Sequence, residues 1–210
     1  MLIPFSTLLK KYGIAPKGVL HIGASTGQEA KDYFDSGVEN VIWIEAIPFV
    51  FEKLKLNIAR YPKMVALNHC ISNVDNKVVT FNISSHEAQS SSMLQLGTHK
   101  TAHPDVKYIG AIDVITKRID TLMKYYELDL ENYDFLNIDL QGAELLALKG
   151  FGQELSKVNC IYIEVNKEEL YVGCPLIKDI DDFLWLYNFE RVETEWCGNF
   201  GWGDAFYIKK

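Results

Sequence analysis

The chain has 210 residues, enough for one full hydrophobic core, and a formal net charge of -7 from 21 Lys and Arg against 28 Asp and Glu. An acidic balance repels polyanions, so nucleic acid is not expected as a partner. No stretch approaches the roughly 18 apolar residues of a membrane span, and Cys70, Cys160, Cys174 and Cys197 show no CxxC spacing. The expectation is a single domain over residues 1–210 in a reducing cytoplasm.

Residues 1–17 place a short apolar stretch ahead of Lys10 and Lys11 with no small-residue cleavage site behind it, which predicts a helix capping the domain. Val19 to Ile22 read as a buried strand. Thr26 and Glu29 stand in capping-box register, predicting a helix start there, with Ala30, Tyr33, Phe34 and Val38 on its apolar face. A strand over Val41 to Ile44 ends at Glu45, and Pro48 suits the first turn of a helix whose buried stripe is Val50, Leu54 and Ile58. Further strands are expected near Met64 to Cys70 and Val78 to Ile83. Residues 84–110 are polar and without clear periodicity, the pattern of a loop or lid.

Order resumes with a strand over Ala111 to Ile115, a helix from Ile119 to Tyr126, a strand Phe135 to Ile138, a helix Ala143 to Leu148 and a strand Cys160 to Val165. The last third predicts a helix from Ile177 to Tyr187 and strands Phe189 to Val192 and Ala205 to Ile208. Strands alternating with helices, several apolar on both faces, indicate an α/β fold with a parallel sheet covered on both sides.

In such sheets ligands sit beyond the carboxyl ends of the strands, and the turn Gly23-Ala24-Ser25-Thr26-Gly27 is in that place. A dinucleotide fingerprint would need glycine at positions 25 and 28, where this chain has Ser25 and Gln28. Glu45 suits the two ribose hydroxyls of either class of cofactor.

The stretches VLHIGASTGQEA, VIWIEAIP, YDFLNIDLQGAELLALKG, IYIEVN and GWGDAFYIK together resemble the FkbM-type family of S-adenosylmethionine-dependent methyltransferases, from about residue 17 to the C-terminus. The resemblance implies a Rossmann-like class I methyltransferase fold, mostly parallel and seven-stranded, with an antiparallel last strand. It also implies O-methylation of a hydroxyl on a sugar, glycan or secondary metabolite, so the expected partner is a small-molecule or glycan acceptor. Carried onto this chain, it places Gly23, Ala24, Ser25 and Gly27 against the methionine part of the cofactor, Glu45 on the ribose, Ile71 and Ser72 beside the adenine, and Asp139 facing the sulfonium. His21 stands where the pattern commonly has an acidic residue contacting the cofactor's amino group. Gln141 stands where many relatives have glutamate.

An alcohol acceptor calls for a base. Asp139, Glu144 and Glu164 lie at or just after strand ends, and His86 lies in the polar loop. These four are the catalytic candidates, although Glu144 equally suits the first turn of a helix. His99 and His103 have i, i+4 spacing without a further ligand motif, so no metal is expected. Trp196, Phe200 and Trp202 are candidates for an acceptor wall or for a cover over the sheet edge. Two other readings stay open: a nicotinamide-dependent oxidoreductase, and a non-catalytic cofactor-binding or scaffold module.

Overall fold

A computed structural model describes residues 1–210. Its central sheet runs β3 (Met64–Asn68), β2 (Val41–Glu45), β1 (Val19–Ile22), β7 (Phe135–Ile138), β8 (Cys160–Asn166), β10 (Trp202–Lys209) and β9 (Phe189–Trp196). All of the pairings from β3 through β8 are parallel, and β10 runs antiparallel to both of its neighbours. The strand order reverses at β1, so the crevice over the β1 and β7 ends is where a ligand is expected in an open parallel sheet.

Both faces of the inner strands are buried, and period-two alternation sorts their residues into two cores. Leu20, Ile42, Leu136 and Ile161 join the layer under α5 (Ile119–Tyr125), α6 (Glu144–Gly150) and α7 (Ile177–Trp185). Val19, Val41, Trp43, Phe135 and Tyr162 join the layer under α1 (Phe5–Tyr12), α2 (Ala30–Asp35) and α3 (Pro48–Ile58). Each fully buried apolar side chain contributes roughly 1.5–3 kcal/mol by leaving water. Phe5 of α1 packs edge-on against Tyr33 and Phe135, so the first helix closes the second layer.

The structure corrects the sequence expectation in three places. The helix after the glycine turn starts at Ala30, and Glu29 occupies its N-cap position without a side-chain cap bond. Two tight turns, Gly27 N–H to Ala24 O and Ala30 N–H to Gly27 O, take up the residues that the capping-box register assigned to the helix. The strand expected near residues 64–70 is broken, with β4 (Cys70–Ile71) leaving the main sheet to pair with β6 (Tyr108–Lys117). β6 also pairs antiparallel with β5 (Val78–Ser84), which makes a separate three-stranded sheet. Within the polar stretch, α4 (His99–Ala102) is a short helix, and bridges from Ser92 to Asn82 and from Leu96 to Tyr171 tie the segment down.

Candidate active site

Where β1 ends, Gly23 has φ +83°, and a Cβ there would lie 1.7 Å from the Asp139 carbonyl oxygen, so the turn can pass the end of β7 only as glycine. Gly23 and Ala24 donate their N–H groups to Ile44 O, and Ser25 donates its own to Glu45 Oε2 at 2.9 Å. The other Glu45 oxygen, Oε1, accepts from Ile47 N–H at 2.8 Å. Glu45 thereby binds the first turn to the second, and burial pushes its carboxyl up to about 7 despite these two bonds.

Beyond β7 and β8, oxygens of Asp139, Glu144 and Glu164 lie within 4.8 Å of one another. Gln141 Nε2 donates to Asp139 Oδ1 at 2.6 Å and to Glu164 Oε2 at 2.8 Å, while its Oε1 accepts from the Tyr171 hydroxyl at 2.5 Å. The amide hydrogens of Gln141 fill the space between two carboxylates, where a cation would have to displace them. Burial raises the pKa of all three acids, Glu164 most of all, and neighbouring charge adds to it: Asp204 and Glu29 at Asp139, Asp139 at Glu144, and Asp139, Glu144 and Asp204 at Glu164. Three acids this close resist full ionisation and titrate as a coupled set.

The three acids differ in access. Asp139 is exposed, and because it is set deep within the walls of the cleft it is also desolvated; Glu164 is nearly buried and Glu144 fully so. Glu144 Oε1 accepts from the N–H groups of Leu140 and Gly142, so this side chain staples the loop after β7 from beneath and does not line the cleft.

The cleft above these groups encloses about 400 Å³. His21, Gly23, Ala24, Ser25, Glu45, Ile71, Asp139 and Glu164 all line it. Gly27, Ser72 and His86 do not, and each has a physical reason. A Cβ at Gly27 would meet Leu54 at 2.7 Å, so this glycine serves the packing of α3. Ser72 donates its N–H to Lys117 O and follows β4 away from the cleft. His86 is exposed, with its ring against Ser85.

At the other end of the cleft stand His99, His103, Leu170, Tyr171 and Trp202. The His99 ring lies tilted against those of His103 (4.9 Å between ring centres) and Tyr171 (5.3 Å), and its Nδ1 is buried without a partner. Neither histidine joins the one side-chain group with metal-ligand spacing. Trp196 instead covers the sheet edge, with the Lys167 ammonium 4.0 Å over its ring. The sequence does not single out Tyr171, and it marks Gln141 only as standing where many relatives have glutamate. Glu29 stood in a helix-cap pattern, and the roles of the other two depend on a contact across 30 residues.

Comparison with known proteins fits this geometry. The methyltransferase FkbM domain matches residues 21–191. The chain is 27% identical over 173 residues to the 2-O-methyltransferase NoeI of Sinorhizobium fredii (strain NBRC 101917 / NGR234), covering 79% of this chain and 70% of that protein. Among solved structures it resembles magnesium protoporphyrin IX methyltransferase from Synechocystis PCC 6803 with bound SAM, at TM-score 0.55 and 10% identity, over 98% of this chain and 76% of that one. It also resembles a protein of the NADB-Rossmann superfamily from Streptococcus agalactiae, at TM-score 0.54 and 12% identity, over 99% and 68% of the two chains. These two likenesses are of fold. With its strand order, its glycine turn and a family match across most of its length, the chain belongs to the FkbM family of S-adenosylmethionine-dependent methyltransferases.

Proposed function

We propose that the protein methylates a hydroxyl oxygen on a sugar, glycan or related hydroxylated metabolite, with Asp139 as the group that takes the hydroxyl proton. The carrying observation is the position of Asp139, the exposed member of the carboxylate cluster, between the glycine-turn end and the aromatic end of one continuous cleft. The family places methyl transfer ahead of hydride transfer and of a purely scaffolding role. The name of the relative from Sinorhizobium fredii, a 2-O-methyltransferase, supports oxygen as the acceptor atom.

The residues at the turn end suit the cofactor. Glu45 keeps lone pairs on both oxygens beyond its two backbone bonds, enough for two ribose hydroxyls. Ile47, Val50, Ile71 and Phe81 supply an apolar slot for a base, and backbone at Gly23 to Ser25 approaches with little side chain in the way. When bound, S-adenosylmethionine supplies an electrophilic methyl group for in-line displacement, so positioning provides much of the acceleration. Gln141 holds Asp139 and Glu164 in fixed orientation, and Tyr171 holds Gln141. Asp139, the exposed member of the cluster, is the acceptor of the substrate proton.

At the far end, Trp202 and Tyr171 offer ring faces, and His99 offers an unsatisfied ring nitrogen, to a polar ring. Residues 88–91 line the cleft from the polar segment, with Ala88 packed on the cluster of Ile47, Val50 and Phe81. The test is incubation with S-adenosylmethionine and a panel of neutral sugars, oligosaccharides and phenolic alcohols, read by mass spectrometry for a gain of one methyl. Product on a sugar hydroxyl that Trp202→Ala diminishes through KM is expected. Transfer to nitrogen or carbon acceptors alone would overturn the reading.

A further inference from the structure

Beneath the cleft, one row of the central sheet breaks the apolar pattern of its layer. His21 on β1 pairs across the sheet with Trp43 on one side and Asn137 on the other, and Tyr33 of α2 reaches down to both polar residues. Asn137 Nδ2 donates to the Tyr33 hydroxyl oxygen at 2.7 Å, and that hydroxyl lies 3.1 Å from His21 Nδ1. The Tyr33 hydroxyl is fully buried and His21 Nδ1 is the acceptor beside it, so its single hydrogen goes to Nδ1. Nδ1 is then an acceptor, and the imidazole proton resides on Nε2.

The ring is 3% exposed, it is stacked on Trp43 at 4.9 Å, and the little surface it shows belongs to the cleft. Burial holds its pKa down at about 4, so the imidazole is neutral at physiological pH. It is a rigid, uncharged N–H donor. Glu29 lines the same part of the cleft, and its charge acts on both His21 and Asp139. Glu29 Oε1 lies 3.6 Å from the amino nitrogen of Met1, so this carboxylate already attracts an ammonium group.

A fixed neutral donor beside a carboxylate is complementary to an amino-acid zwitterion. We propose that His21 Nε2–H binds the carboxylate of the cofactor's methionine moiety and that Glu29 takes its ammonium. This arrangement reverses the polarity expected at position 21, where an acidic side chain would hold the amino group. The inference rests on the S-adenosylmethionine assignment, and its test separates the two.

The experiment is calorimetric titration of the full chain with S-adenosylhomocysteine, with its decarboxylated analogue and with its deaminated analogue. His21→Phe is expected to weaken S-adenosylhomocysteine about tenfold or more while leaving the decarboxylated analogue within about twofold, because only the former loses a charge-assisted bond. Glu29→Gln is expected to weaken the two amines and spare the deaminated acid. Equal weakening of S-adenosylhomocysteine and its decarboxylated analogue by His21→Phe, or no weakening of either, would overturn the proposal. Failure of the wild-type protein to bind any of the three would overturn the cofactor assignment, and the proposal with it.

Nitrogen-15 NMR of the wild-type imidazole gives a second readout that needs no variant. The expected result is a protonated Nε2 whose proton resonance moves with S-adenosylhomocysteine and stays in place with the decarboxylated analogue. A proton on Nδ1 would sink the proposal.

Discussion

Along the ends of β1, β2, β7 and β8, the side chains that meet the cleft are set by the strands they follow, whereas the facing wall is assembled from contacts far apart in the chain. Asp139 and Glu164 arrive at the cleft because they end or follow apolar strands, and Glu45 closes β2 in the same way. The facing wall depends on Asn82 Nδ2 donating to Ser92 O and Leu94 O, on Ser92 Oγ donating to Gln141 O, and on Gly97 N–H donating to Leu170 O. The first wall is built to hold charges rigidly, and the second to present rings and small polar groups. We infer that chemistry belongs to the first and acceptor choice to the second.

The sharpest way to break that division is Asp139→Asn. An asparagine oxygen still accepts from Gln141, so folding and cofactor affinity should persist, while kcat falls by about 10²–10⁴ through loss of the base. Comparing thermal melts with single-turnover rates checks both halves. Activity at the wild-type level would move the base to the facing wall.

A smaller effect is expected at Glu45, which serves structure and ligand together. Glu45→Gln leaves one of the Ser25 and Ile47 N–H groups facing an amide nitrogen, a loss of about 1–3 kcal/mol in stability. Affinity for S-adenosylhomocysteine should fall about tenfold or more in the same variant, since charge-assisted bonds are among the strong ones. Loss of stability with affinity intact would mean that Glu45 only joins the two turns.

The same division explains how much was legible in the sequence. Period and strand-end position reveal the fold class, the order of elements, and the approach of Asp139, Glu45 and Glu164 to a common edge. They do not reveal where β4 turns away, because Cys70 and Ile71 are as apolar as a continuation of β3 would be. Ser72 is carried off with them. The polar edge strand β9 runs on through Glu193, Thr194 and Glu195 to Trp196, where no apolar alternation marks it. Gln141 and Tyr171 gain meaning from each other, and so do His21, Tyr33 and Asn137. The one local hint was a polar residue inside each of the buried strands VLHI and FLNI, at positions that pair directly across the sheet.

The smallest effect on catalysis, and the most specific in form, is expected from Glu144→Gln. The folded protein holds the Glu144 proton up to about pH 7 because burial disfavours the charge, whereas a free glutamate ionises near 4.5. Between those values the folded state binds the extra proton, so the stability contribution of this group is lost as pH rises. Glutamine keeps an oxygen for the Leu140 and Gly142 N–H groups and cannot ionise. The variant should therefore match the wild type near pH 5, become progressively the more stable of the two between about pH 5 and 7, and hold a constant advantage above that, in melts taken across the range. Because Glu144 is fully buried beneath the loop, acceptor KM should stay unchanged throughout. A changed KM with no change in the pH dependence of stability would mean instead that this carboxylate reaches the cleft and belongs with Asp139.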